Sequence, residues 1–177
     1  MTLGPMTSEY QRALVLAEEI AKPFESCRLR AYWDPVGFPT NGWGNLLSRE
    51  TKQRVMLRLG LSSAGADAWL QETWPEITQE KADKDFRINL DKAFTSVRRL
   101  VKIPLKAGQI APLIDFAFNL GPGNLQASTL LRLINRTEFL EAADQFLRWN
   151  KAGGVILRGL TRRCQARRQM FLKWTTT

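Results

Sequence analysis

Apolar residues recur at three- and four-residue steps along most of the chain, and in one short stretch that rhythm breaks. Tyr10, Ala13, Leu14, Ala17, Ile20 and Ala21 predict an amphipathic helix over about residues 8–22. A capping box at Ser8 and Gln11 opens it, and Pro23 disturbs its last turn. From Phe24 to Leu47 the pattern changes. Gly37, Gly42, Gly44, Pro35, Pro39 and an Asn41-Gly42 pair are interleaved with Tyr32, Trp33, Val36, Phe38 and Trp43. Turn formers among aromatic and β-branched residues predict short strands joined by tight turns. This is the one β region the pattern supports.

Helical spacing then resumes. Ser48 is placed to cap a helix carrying Val55, Met56 and Leu59, which Gly60 ends, and a second helix runs from Ala64 to Trp74 before Pro75. Thr78 opens a long helix with Phe86, Leu90, Phe94, Val97 and Leu100 on one face, broken by Pro104. Residues 107–119 are almost wholly apolar, which predicts the buried central helix of a bundle, ended by Gly121-Pro122-Gly123. Ser128 caps the next helix, and another spans Glu138 to Trp149. Lys151-Ala152-Gly153-Gly154 reads as a loop. A last helix from about Leu160 to Trp174 carries a stripe at Leu160, Cys164, Phe171 and Trp174. The expected class is α+β, mostly helical. A single domain over residues 1–177 would combine an N-terminal helix and β lobe at about 8–60 with a larger all-helical lobe at about 78–177.

Composition narrows the chemistry. The sequence has no histidine, which excludes Ser-His-Asp and Cys-His nucleophile systems, HExxH zinc sites and mixed Cys/His zinc fingers. Two cysteines, Cys27 and Cys164, cannot build a four-cysteine metal site and are expected as free thiols. If the chain is an enzyme, its acid–base work falls to Asp, Glu, Lys, Tyr or Cys. The net charge is +9, and it is uneven. Arg148, Lys151, Arg158, Arg162, Arg163, Arg167, Arg168 and Lys173 follow Gln145 with no acidic residue among them. Such a basic end reads as a surface for a polyanion, weighed against a plain solvated helix face. No groove-reading motif supports nucleic acid. The opening residues lack a basic n-region and Glu18 and Glu19 interrupt their apolar run, so neither a signal peptide nor a membrane span is expected.

Without imidazole, paired carboxylates are the first place to look. Glu25 follows the first helix among Phe24, Leu29, Tyr32 and Trp33, while Asp34 opens an Asp-Pro-Val-Gly turn, and Thr40 comes shortly after. A carboxyl among apolar neighbours is held protonated, and one in a wet turn stays ionised. Glycosidic cleavage requires two carboxyls split in this way. On spacing alone, ordinary turn and helix-end roles outweigh that reading.

The order of motifs changes the balance. The segment PFESCRLRAYWDPVGFPTNGWGN resembles the active-site segment of the phage-type lysozymes, the endolysins of glycoside hydrolase family twenty-four. The match places Glu25, Asp34 and Thr40 on the family's catalytic three, with the hairpin glycines at Gly42 and Gly44. Phe118-Asn119-Leu120-Gly121 resembles the end of the family's central helix, and Ser128-Thr129-Leu130-Leu131 with Asn135 its next motif. Arg148-Trp149-Asn150, Gly159-Leu160 and Arg162-Arg163 resemble its C-terminal block. There are departures: Ser26 where Gly is common, an unusual Pro23, and Asn45 in place of a His that is not one of the three. Residues 46–76 match poorly and read as an insertion that lengthens the link between lobes or edges the cleft.

The resemblance implies a lysozyme-like fold and hydrolysis of the β-1,4 bond between N-acetylmuramic acid and N-acetylglucosamine in peptidoglycan, without a cofactor. It implies Glu25 as general acid, Asp34 as the group that orients water or stabilises positive charge, and Thr40 as a holder of that water. Arg162 or Arg163 would pair with Glu25 and meet substrate. Asn119 is a substrate contact or a helix cap. Trp33 and Trp43 flank the catalytic turn as cleft walls, while Trp149 and Trp174 read as core. A monomeric host-lysis enzyme made in the host cytoplasm would need a separate holin to reach the wall, and its basic end would meet the anionic envelope. A lytic transglycosylase and a non-catalytic wall-binding module are the alternatives.

Overall fold

The computed structural model describes residues 8–176. Helix α1 spans Ser8–Ala21, and a single 3-10 turn, Lys22–Phe24, follows where Pro23 interrupts it. The expected cap at the Ser8 side chain lies outside the described residues. Strands β1 (Arg28–Trp33), β2 (Pro39–Gly42) and β3 (Asn45–Leu46) form an antiparallel sheet in the order β1-β2-β3. Then come α2 (Lys52–Leu59), α3 (Ser63–Thr73), α4 (Gln79–Leu100), α5 (Ala107–Leu120), α6 (Pro122–Ala127), α7 (Thr129–Ile134) and α8 (Phe139–Gln145). A two-residue hairpin, β4 (Lys151–Ala152) and β5 (Val155–Ile156), precedes α9 (Arg158–Thr175). The α+β, mostly helical class expected from the sequence is what the chain forms.

Three local expectations are corrected. Thr51, not Ser48, caps α2: its hydroxyl accepts from the Arg54 N–H, while the Ser48 hydroxyl accepts from Glu50 N–H in the turn before. Gly121 ends the central helix as expected, but Pro122 at the next position starts a further short helix, α6, that the spacing does not predict, and its missing N–H costs nothing there. Lys151–Ile156 is a hairpin around Gly153-Gly154 rather than a loop.

The chain divides into two compact units. One takes the chain up to Phe24 and from Leu90 onward, and the other is Glu25–Asn89. The boundaries differ from the expected lobes because α1 packs on α5 and α9, the helices of the first unit. In that unit α5 is the core: every residue from Ala107 to Ala117 is buried, Pro112 included. Proline inside a helix costs about 3 kcal/mol. Burial of Ile110, Leu113, Ile114 and Phe116 outweighs this, at about 1.5–3 kcal/mol per side chain. The Glu9 carboxylate accepts from the Ala107 N–H at 2.8 Å, so an acidic group meets the positive end of α5. Beside it, the Trp174 indole lies directly on Gly108; a Cβ there would fall 2.0 Å from the ring. Gly108→Ala should therefore destabilise this unit by about 1–3 kcal/mol, read as a lower melting temperature.

The charge centre of this unit is equally buried. Asp115 on α5 is 0% exposed and accepts from Arg163 Nη2 at 2.6 Å and from Arg167 Nε. Arg167 Nη2 also donates to the Asp115 carbonyl at 3.2 Å and to Asn119 Oδ1 at 3.0 Å. Arg167 Nη1 is buried without a partner, and burial pushes the guanidinium pKa down against the pull of Asp115. Two of the eight C-terminal cations are thus internal, and Arg168 pairs with Asp144 at 2.8 Å. Arg148, Lys151, Arg158, Arg162 and Lys173 are the exposed ones.

In the second unit, Ala31, Val55, Ala66, Leu70, Ala82 and Phe86 are buried. Gln71 Nε2 donates to the Ala31 carbonyl at 2.8 Å, which ties α3 to β1. Ile77 N–H donates to the Leu29 carbonyl at 3.1 Å.

Candidate functional site

The turn between β1 and β2 is built by Asp34. Its Oδ1 accepts from the backbone N–H groups of Val36 at 2.9 Å and Phe38 at 2.8 Å, and its carbonyl accepts from Gly37 N–H at 2.9 Å. The positive φ of Gly37, 97°, completes the turn in a conformation that L side chains avoid. One carboxylate oxygen is thereby fixed by the backbone, and the group is oriented before any ligand arrives. Just before this turn the β1–β2 register slips: Arg28 faces Gly42, while Tyr32 faces Thr40. A bulge of this kind re-aims the side chains that follow it, here Tyr32, Trp33 and Asp34.

The result is a pocket of about 380 Å³ lined by Glu25, Ser26, Arg28, Tyr32, Trp33, Asp34, Pro35 and Gly44. Glu25 and Asp34 share it, as the sequence led one to expect. Tyr32 stands between their influences. Its pKa is raised, first by burial, and both carboxylates add to this while Arg28 opposes them. The Arg28 guanidinium lies over the Tyr32 ring, 4.6 Å from its centroid. Gly44 adopts φ 82°, and a Cβ on it would lie 4.0 Å from Glu25 Oε2, so the β2–β3 turn closes onto the acid.

The other expected residues are distributed as follows. Trp33 lines the pocket, with Nε1 donating to Asp67 Oδ1 at 2.9 Å. Thr40 lies across from Tyr32, 4% exposed, and its hydroxyl donates to the Phe38 carbonyl at 3.2 Å; it is not among the lining residues. Trp43 turns toward α4, donating to Asp83 Oδ1 at 2.8 Å and packing on Phe86, and it does not line the pocket either. Asn45 joins Asn41 and Asn89 through side-chain amides, so the residue that departs from the family pattern is a structural bridge. Asn119, Arg162 and Arg163 belong to the other unit. Asn119 is half-buried and bound by Arg167 rather than capping α5, Arg163 is 3% exposed and held by Asp115, and Arg162 is exposed. Trp149 and Trp174 are half-buried, Trp149 edge-on to Phe116 and Trp174 against Arg12 and Gly108.

Arg28 and Tyr32 were not singled out as site residues from sequence. The register slip between them hides this pairing from strand alternation, so no local signal was available. Both cysteines are free thiols, and burial pushes the Cys164 thiol pKa up. Among the described residues no cluster of three or more metal-ligating side chains occurs, and no helix is long and apolar enough to cross a membrane.

The sequence pattern of the Phage lysozyme family matches residues 22–167. The chain belongs to that family. The endolysin of Salmonella phage P22 is 31% identical over 129 residues, covering 73% of this chain and 77% of the relative. An endolysin of Bacillus phage B103 is 40% identical over 96 residues, 54% of this chain but 36% of its own length. The chain thus spans little more than a third of the Bacillus phage relatives it matches. Among solved structures, the muramidase domain of SpmX from Asticaccaulis excentricus superposes with a TM-score of 0.69 at 27% identity, covering 88% of this chain and 94% of that one. As a phage lysozyme family member, the chain has the lysozyme-like fold that its motif order implied.

Proposed function

We propose that this chain is an endolysin of glycoside hydrolase family twenty-four, a muramidase that hydrolyses the β-1,4 bond between N-acetylmuramic acid and N-acetylglucosamine in bacterial peptidoglycan. The observation that carries the reading is the pocket that Glu25 and Asp34 line together, with Tyr32 feeling the charge of both. Glu25 donates its proton to the leaving glycosidic oxygen. Asp34, pinned through Oδ1 by two backbone N–H groups, directs its charge at the attacking water or at the positive charge on the sugar. Thr40 supports that water from β2, with its own proton committed to the Phe38 carbonyl and its oxygen able to accept. Trp33 forms one wall for a sugar ring, and Trp43 supports the turn from behind. Within its own unit, Arg163 ties α9 to α5 through Asp115.

The enzyme works as a monomer on the host wall and needs no metal or cofactor. It is released from the host cytoplasm by a separate holin. Its exposed C-terminal cations Arg148, Lys151, Arg158, Arg162 and Lys173 meet the anionic envelope. Digestion of purified peptidoglycan, with products read by mass spectrometry, tests the reading. Fragments ending in reducing N-acetylmuramic acid are expected. Anhydro-muramic ends would make it a lytic transglycosylase, and intact polymer would leave a binding module.

A further inference from the structure

Residues 46–76 bring two tryptophans into contact with Trp33, a residue that lines the pocket. Trp69 on α3 lies nearly parallel to Trp33, 12° between planes and 6.4 Å between centroids. Trp74, at the end of α3, meets Trp69 edge-on at 5.4 Å. All three indoles are half-buried, so each keeps some surface toward solvent. They form an unbroken row that begins inside the Glu25–Asp34 pocket and leads away from it along α3.

Helix α3 also has a seat apart from this row. Ala66 and Leu70 supply the buried face of that helix, at 0% and 2% exposure, and Gln71 bonds to the β1 backbone. The orientation of the first indole is itself fixed. Asp67 accepts from Trp33 Nε1 and from Lys52 Nζ at 2.6 Å, and these bonds, Lys52 first, hold its pKa below the usual carboxylate range. A polar anchor that locks an aromatic ring beside a reactive pocket is the way binding sites preorganise a stacking surface.

We propose that Trp33, Trp69 and Trp74 form a stacking platform that takes further sugar units of the glycan strand beyond the one at the pocket. The ligand class is a chain of β-1,4-linked N-acetylhexosamines. Their pyranose faces present C–H groups to an indole, and their rims carry hydroxyl and acetamido groups that stay hydrated. The proposal rests on the muramidase reading, since the glycan strand is the polymer that would thread the pocket.

The test uses the full chain with Glu25→Gln, so that ligand is bound and not cut. Oligomers of N-acetylglucosamine with three and six units are titrated by calorimetry. The longer one should bind about tenfold more tightly, the scale of one or two aromatic contacts. Trp69→Ala in the same background should erase that gain, and Trp69→Tyr, which keeps an aromatic face, should restore part of it. A length preference that survives Trp69→Ala overturns the platform, as does the absence of any preference. Equal losses for both oligomers with no rescue by Tyr also overturn it, because the tryptophans would then only hold the pocket's shape. Failure of the muramidase reading is distinguishable, because it shows in the wild-type peptidoglycan digest and does not depend on oligomer length.

Discussion

Glu25→Gln should slow peptidoglycan cleavage by about 10²–10⁴-fold, the usual contribution of a positioned general acid. The amide matches the carboxyl in size and keeps an acceptor oxygen beside Gly44, but it has no proton to give. Its neighbours Arg28, Tyr32 and Asp34 are held by contacts that do not involve Glu25: the stacked guanidinium over the Tyr32 ring, and the turn bonds of Asp34. The rate should collapse whether or not the melting curve shifts, because the lost group is the proton donor. A turbidity assay on suspended cell walls, paired with a melt, separates the two quantities. Retention of wild-type rates would remove Glu25 from the chemistry.

Asp115→Ala should be the most damaging substitution for stability, at about 3–5 kcal/mol, the range for removing one partner of a buried ion pair. Asp115 is 0% exposed and answers two guanidinium groups, Arg163 and Arg167, which are themselves buried. Arg167 already carries one buried N–H without a partner, so the loss of its carboxylate leaves a cation with only neutral carbonyl acceptors. At about 2–4 °C per kcal/mol for a chain of this size, the fall in melting temperature is easily read. The double substitution Asp115→Ala with Arg167→Met should recover part of the loss, because it removes a buried charge along with its partner. If the double variant is no better than the single, the cost of Asp115→Ala is packing and not charge.

This cluster also shows why some of the molecule could be read from sequence and some could not. Along α9 the stripe Leu160, Cys164, Phe171, Trp174 leaves a gap that Arg167 fills at the same three- and four-residue steps. Periodicity placed Arg167 on the buried face, while its charge argued for the surface, and the deciding partner was Asp115, 52 positions earlier in the chain. No local rule reaches that far. The central helix was legible for the opposite reason: Asp115 and Gln109 apart, its residues from 107 to 117 are apolar or small, so burial follows without knowing the neighbours.

The site divides in the same way. The Asp34 turn and the hairpin were legible because the Asp-Pro-Val-Gly sequence and the glycines at 37, 42 and 44 encode their geometry locally, whereas Glu25 stands out only through the order of the family motifs. The direction of Trp43 was not, because it depends on Asp83 and Phe86 of α4, and neither was the register slip that aims Tyr32 and Trp33. The Trp69 partner of Trp33 lies 36 positions further along, on α3, and no local rule pairs the two.

The central claim is that Glu25 and Asp34 add water across a glycosidic bond. Digestion of peptidoglycan in heavy-oxygen water, followed by mass spectrometry of the new ends, tests it most directly. The account predicts one heavy oxygen at C1 of each new reducing N-acetylmuramic acid, formed by the wild-type protein and not by Glu25→Gln. New ends closed as unlabelled anhydro-muramic acid, or labelled ends formed equally fast by the variant, would contradict it.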